Sequence, residues 1–280
     1  MKRVAIQGIR GSYHEEATHK FFGDEAIEIV ECRTFANLFN AMDQDHGLMG
    51  VVAIENTIAG ALLQNHEMLR ESSLKVVGEE KIRIQHAVAI LKGEKIDDIV
   101  EVNSHPIALM QCQRWLSKFP DIKIVEKSDT ASSAKEIAQQ QLHGHAAICS
   151  ELAAELYGLK VLKRSIETNK RNFTRFLVLS HKSKSVVNTN FESVDKASLV
   201  FTLPHSAGAL SKILTILSFY DINMTKLHSM PLIGREWEYQ FYVDVTFDDY
   251  KRYVQSIKAI RPLTNYIKIL GEYKSCINPE

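Results

Sequence analysis

Thr174 and Arg175 are the adjacent pair in this chain with the most pointed chemistry. A hydroxyl can donate to one oxygen while a neighbouring guanidinium grips a carboxylate through two parallel N–H groups. Such a pair suits a site that holds a small acid and assists a second oxygen. Equally, Thr174 could serve β-propensity and Arg175 could be an exposed strand residue. The pair stands where the charged, turn-prone run Asn169-Lys170-Arg171-Asn172 gives way to Phe173-Thr174-Arg175-Phe176-Leu177-Val178-Leu179. That second run is aromatic and β-branched in character and reads as a buried strand, with Thr174 and Arg175 at its mouth.

The elements that would position this pair follow a repeated grammar. Short apolar runs at 4–7, 50–54, 99–102, 124–127 and 146–149 each pass into a polar turn and a helix start. Ser12, Thr57, Thr130 and Ser150 stand at these junctions, as does Asn103-Ser104-His105-Pro106. Ser12-Tyr13-His14-Glu15 has the capping-box pattern of a helix running to about Phe22. Each such residue alone reads as an ordinary helix cap. Repeated, they place free backbone N–H groups at the C-terminal ends of strands, where open α/β sheets bind anions. Helical spacing of Ala134, Ile137, Ala138 and Leu142 completes the alternation, which predicts an α/β fold with parallel sheet.

A polar stretch at 181–195 reads as a linker between residues 1–180 and a second domain at 196–275. The second domain shows strands at 197–203, 223–233, 238–247 and 266–273, with helices at 208–220 and 248–260, the latter capped by Asp248. This βαββαβ order is the ferredoxin-like split motif. Its open sheet edge or face predicts a homodimer or homotetramer.

Composition narrows the function classes. In 280 residues, 45% are hydrophobic, enough for a sizeable core and two or three domains. Lys+Arg and Asp+Glu both number 34, so no global field draws nucleic acid or an anionic membrane, and any anion must be caught locally. The N-terminus enters a strand at once, without a signal core, which predicts a cytoplasmic protein. Cys32, Cys112, Cys149 and Cys276 lack paired spacing and read as reduced thiols. His143, His145 and Cys149 have a superficially ligand-like spacing, but they span a glycine turn and lack a fourth ligand in sequence, so no metal is expected. Gly8 and Gly11 lack the rest of a phosphate-loop fingerprint.

Taken together, Asn172-Phe173-Thr174-Arg175-Phe176, Glu55-Asn56-Thr57-Ile58-Ala59-Gly60, Ser104-His105-Pro106 with Gln111-Cys112, and Ala147-Ile148-Cys149-Ser150 resemble the monofunctional prephenate dehydratases. The resemblance implies two α/β lobes like those of periplasmic binding proteins, with the active site between them. It implies a lyase that converts prephenate, a small dianion, to phenylpyruvate, carbon dioxide and water for phenylalanine synthesis. That chemistry aromatises a ring and calls for no cofactor. Thr174 stands at the family's catalytic position, as donor to the departing hydroxyl, with Glu55 and His105 as ionisable alternatives. Arg175, Phe176, Asn56, Ser104 and Gln111 are then substrate-binding residues, with Thr57, Thr130 and Ser150 at the cleft junctions.

The C-terminal domain resembles an ACT regulatory domain through Gly208-Ala209-Leu210, Asn223-Met224-Thr225-Lys226 and Trp237-Glu238-Tyr239. The resemblance implies phenylalanine as effector at Gly208, Ala209, Leu210, Asn223, Met224, His228 and Ser229. Where that family has Glu-Ser-Arg-Pro, this chain has His228-Ser229-Met230-Pro231, losing an acid and a guanidinium, so altered coupling is expected. An arogenate dehydratase would share the mechanism. A non-catalytic organic-acid or amino-acid sensor would share the caps and Arg175 without needing Thr174.

Overall fold

A computed structural model describes residues 1–181, 194–232 and 238–276. The chain forms two compact units, Met1–Leu62 with Glu80–Phe176, and Leu63–Glu79 with Leu177–Ile277. Strands Leu74–Arg83 and Phe173–His181 run from one unit into the other.

The first unit has two α/β lobes. In the first, strand Lys2–Gln7 pairs in parallel with Ile27–Cys32 and Met49–Asn56, and Val4, Ala5 and Ile6 are fully buried. Helix Tyr13–Phe22 starts at Ser12, whose side chain accepts from the Glu15 N–H. The Glu15 carboxylate reaches one residue beyond the usual box, taking the Gly11 N–H at 2.5 Å.

The second lobe is a five-stranded sheet in the order Lys160–Lys163, Ala87–Ile90, His145–Cys149, Glu101–Ser104, Lys123–Glu126. Its last three strands are parallel, but Ala87–Ile90 runs antiparallel to both neighbours. The expected parallel sheet is present, with Ala87–Ile90 as an antiparallel strand within it. Ala87–Ile90 is four apolar residues at 0% exposure, and a run buried on both faces carries no signal of direction.

Two segments cross between these lobes side by side. Ile84 N–H donates to Asn172 O at 2.7 Å, and Ile166 N–H to His86 O at 2.9 Å. The lobes also dock at Gly11, whose φ is +87°. A Cβ there would lie 2.8 Å from the Ala153 Cα, so only glycine lets the loop close on helix Glu151–Leu156. Ser150 Oγ donates to Gly11 O at 2.6 Å and Tyr157 hydroxyl to Arg10 O at 2.7 Å across the same contact.

Three helix starts differ from the sequence reading. Met49–Asn56 passes into a hairpin with Gly60–Ala61, so Thr57 caps no helix. The turn is held by Asn56 Oδ1, which accepts from the N–H groups of Ile58 and Ala59 and makes a local turn cheaper than a helix start. Asp129, not Thr130, caps helix Thr130–Gln140, because its carboxylate reaches the Ser132 N–H at 2.8 Å. Asp249, not Asp248, caps Tyr250–Ile260.

The second unit carries the βαββαβ order: Lys196–Thr202, Ala209–Phe219, Asn223–Pro231, Tyr239–Thr246, Tyr250–Ile260 and Tyr266–Tyr273. Its strands are antiparallel, in the ferredoxin-like arrangement with Asn223–Pro231 at the edge. Ile213, Leu217, Tyr253 and Ile257 of the helices pack on Leu199, Phe201, Val243 and Val245 of the sheet. Residues 63–79, read from sequence as part of 1–180, belong to this unit. Glu67 accepts from Tyr242 at 2.5 Å and Gln240 at 2.7 Å, and buried Glu79 takes Lys196 at 2.8 Å. Most of the expected 181–195 linker, and Trp237, lie outside the described residues. Among the described residues no helix is long and apolar enough to cross a membrane.

Candidate active site

Strand Phe173–His181 brings Thr174 to the end of Met49–Asn56, where Asn56 Nδ2 donates to Thr174 Oγ1 at 2.9 Å. Thr57 stitches the same corner: its N–H donates to Phe173 O, its hydroxyl to Arg171 O, and it accepts from the Phe173 N–H. Asn56 Nδ2 also donates to Asn172 Oδ1 at 2.8 Å, and Asn172 Nδ2 to Gln111 Oε1 at 2.9 Å. Gln111, at the end of helix Pro106–Gln111, comes from the second lobe. The corner therefore joins both lobes and the crossing segments in one polar network. A recess of about 550 Å³ opens beside it, lined by Ile58, Met110, Gln111, Arg114, Thr168 and Asn169 among others.

Arg175 is 4% exposed and donates to Glu55 Oε1 at 3.0 Å. Its guanidinium is thus already oriented by a carboxylate before any ligand arrives. Asn56, Thr57, Gln111 and Thr174 gather at this corner, while Arg175, next on the strand, pairs with Glu55, the neighbour of Asn56. Other expected site residues are held elsewhere or turned inward. Ser104 is fully buried and donates to Ile148 O at 2.6 Å, joining strands of the second lobe. Ser150 is committed to Gly11 and to capping the Ala153 N–H, and Thr130 is a helix residue after its cap. Phe176 is 1% exposed with its ring 4.9 Å from that of His14, a core position. His105 caps its helix through Nδ1, which accepts from the Ile107 N–H.

Asn172, His86, Tyr13 and Glu167 belong to the network but were absent from the sequence-derived site. Asn172 lies in the quoted signature stretch, so its signal was present. His86 and Tyr13 carried none: Tyr13 opens a capped helix and His86 immediately precedes a buried strand, and each is recruited by folding. His86 Nε2 lies 3.0 Å from Gln111 Oε1, and Nδ1 lies 2.8 Å from the Tyr13 hydroxyl. Beneath them, Glu167 accepts from the His86 N–H at 3.0 Å.

The pattern characteristic of prephenate dehydratases matches residues 4–184. The bifunctional chorismate mutase/prephenate dehydratase of Escherichia coli K12 is 34% identical over 277 residues, covering 98% of this chain and 71% of that protein. The chain belongs to the prephenate dehydratase family. Among solved structures, one described as GqqA, a novel type of quorum-quenching acylase, is 28% identical with a TM-score of 0.87, covering 98% of both chains. The prephenate dehydratase of Arthrobacter aurescens in complex with L-Phe superposes with a TM-score of 0.85 at 24% identity, covering 97% of this chain and 89% of that one.

The region matched as prephenate dehydratase contains the whole polar network, and its electrostatics follow from burial. Desolvation lowers the pKa of His86 against the opposing pull of Gln111 and Glu167, so the ring is neutral. Glu167 is held below the usual carboxylate range: burial opposes, but the Ser165 hydroxyl, the N–H groups of Glu167 and His86, and Lys170 outweigh it. Asp129 is raised, chiefly by burial. Burial pushes Cys112 and Cys149 up to about 12, which keeps them as thiols. His143 and His145 turn to separate carboxylates, Glu94 and Glu101. Among the described residues no cluster of three metal-ligating side chains occurs.

The expected effector residues lie beyond the prephenate dehydratase match. Gly208, with φ +74°, opens helix Ala209–Phe219 ahead of the half-buried Ala209 and Leu210. Asn223 begins the edge strand and Met224 packs on the module core. His228 and Ser229 are consecutive on that strand and so face opposite sides of the sheet.

Proposed function

We propose that the chain converts prephenate to phenylpyruvate, with Thr174 as the group that assists the departing hydroxyl. The ring carboxylate leaves as carbon dioxide, its electron pair enters the ring, and the C–O bond breaks as the ring becomes aromatic. The hydroxide leaves as water once protonated. Thr174 Oγ1 receives a hydrogen bond from Asn56, so its own hydrogen is available for the leaving oxygen, and this contact carries the reading. A threonine hydroxyl is a weak acid, so its contribution is a hydrogen bond that strengthens as negative charge develops on the oxygen. Arg175 binds a substrate carboxylate, sharing its fork with Glu55. Arogenate has the same ring and leaving groups and is an alternative substrate.

The test is phenylpyruvate formation from prephenate by the purified chain, with arogenate assayed in parallel and Thr174→Ala as control. A fall of about a hundredfold in the variant supports the role of Thr174, on the scale of one lost transition-state hydrogen bond. Turnover indifferent to the change moves that role to Glu55 or His105. No turnover of either substrate sinks the reading and favours a sensor. The full-length likeness to an acylase supports a second assay, amide hydrolysis. Acyl transfer needs a base on the nucleophile, whereas Asn56 donates to Thr174 and cannot take its proton through that contact.

The ferredoxin-like module we assign as an ACT-type regulatory domain that binds phenylalanine near Gly208–Leu210 and Asn223, with coupling altered at His228-Ser229-Met230-Pro231. Support comes from its topology and from the L-Phe complex of the Arthrobacter aurescens protein. Calorimetry without a binding heat at millimolar phenylalanine would remove this assignment. The edge position of Asn223–Pro231 supports pairing with a second copy.

A further inference from the structure

The amide network around Thr174 has a direction that can be worked out from one end. Asn56 Oδ1 faces the N–H groups of Ile58 and Ala59, both at 2.9 Å. A backbone N–H only donates, so the Asn56 amide has one orientation, with Nδ2 toward Asn172 and Thr174. Its two hydrogens go to the two nearest acceptors, Asn172 Oδ1 at 2.8 Å and Thr174 Oγ1 at 2.9 Å, in preference to Phe173 O at 3.2 Å. Asn172 must then show Nδ2 to Gln111, and Gln111 must show Oε1. That oxygen also faces His86 Nε2 and can only accept, so Nε2 carries a hydrogen. At 2% exposure an imidazolium is costly, which leaves Nδ1 bare to accept from Tyr13. The Tyr13 hydroxyl has one hydrogen and two acceptors in reach, and Nδ1 at 2.8 Å takes it ahead of Gln85 O at 2.9 Å.

We infer that His86 is a positioning residue for the dehydratase reaction: as the neutral Nε2–H tautomer it anchors the far end of the Gln111–Asn172 chain and so holds Asn56 in place as the donor to Thr174. The inference rests on the reading of Thr174 as donor. His86 never touches the substrate. It acts through two amides whose orientation is set from the Asn56 end, and its Nε2–H meets the Gln111 oxygen that this orientation presents, so the chain is satisfied at both ends. Tyr13, from the first lobe, closes the chain whose middle member, Gln111, comes from the second, so the chain also ties the lobes at the site.

The experiment compares wild type with His86→Leu, His86→Gln and Tyr13→Phe, measuring kcat and KM for prephenate and the thermal midpoint of each. His86→Leu is expected to lower kcat by tenfold or more with KM changed less than threefold, because substrate contacts remain. His86→Gln, which can place an N–H near the Nε2 position, should recover part of that loss, and Tyr13→Phe should give a smaller loss. Histidine-selective ¹⁵N NMR of the wild type should show His86 as the Nε2–H tautomer, a readout independent of whether any variant folds. A His86→Leu enzyme with wild-type kcat, or an Nδ1–H signal for His86, overturns the inference. A wild-type chain that makes no phenylpyruvate instead removes the function on which it rests.

Discussion

Asn56 and Thr174 are 118 residues apart in sequence, and the amide of one donates to the hydroxyl of the other at 2.9 Å. The contact decides which hydrogen of the pair faces outward. Asn56→Ala should therefore lower kcat by about ten- to a hundredfold, since Thr174 loses the donor that orients it. Thr174→Ser keeps the hydroxyl and should stay within about tenfold of wild type. Steady-state kinetics with prephenate checks both, and equal losses in the Ala and Ser variants of Thr174 would argue against the hydroxyl as the working group.

Arg175 and Glu55 form a half-sheltered ion pair, with Arg175 at 4% and the Glu55 side chain at 31% exposure. Lysine supplies charge without the fork, so Arg175→Lys should raise KM by about tenfold or more. Glu55→Ala removes one carboxylate that a buried cation bonds. Because Glu55 is partly solvated, the expected loss of stability is about 1–3 kcal/mol, less than for a fully buried pair. Urea unfolding of the two variants separates these effects.

His14 is buried against Phe35 and Phe176 and accepts from the Ala53 N–H. Desolvation lowers its pKa from 6.5 to about 3. The unfolded chain thus binds a proton between those values that the folded chain refuses, so stability is complete above pH 6.5 and is lost as pH falls toward 3. The slope amounts to a few kcal/mol over the window. Denaturant midpoints of wild type should fall from pH 7 to pH 4 more steeply than those of His14→Phe. Parallel slopes would remove His14 as the cause.

Gly11→Ala places a Cβ 2.8 Å from Ala153 Cα at a positive φ. Strain and overpacking together should cost about 2–4 kcal/mol and part the lobes at Ser150. A lowered thermal midpoint with reduced kcat is expected. Gly23, also at positive φ but with open space around it, is the control, and its Ala variant should lose stability with little change in rate.

Much of this architecture was legible along the chain. The alternation of apolar runs and polar turns located most strands and helices of the first unit, and period-two and helical patterns located all six elements of the ferredoxin-like module. The misplaced caps are informative. Asp129 and Asp249 each neighbour another good capping residue, and propensity does not say which carboxylate reaches the N–H two or three positions on. At Asn56 the same preference for local hydrogen bonding closed a hairpin turn where a helix start was expected.

By itself the sequence determined the family, through short motifs in the right order, and it singled out Thr174 and Arg175 as candidates for the chemistry. It also determined the second module, because burial on one face of each strand and helix imposes its period on the residues. Only the tertiary structure decided which polar groups meet. Residues 63–79 join the second unit through Glu67 and Glu79, whose partners lie more than a hundred positions away. Ser104 and Ser150 look like binding residues in sequence and spend their hydroxyls on backbone carbonyls. His86 and Tyr13 look like nothing in particular and join the network behind Thr174. The reason is physical: a polar side chain's role depends on the partner that replaces its lost water, and distant folding, not local pattern, supplies that partner.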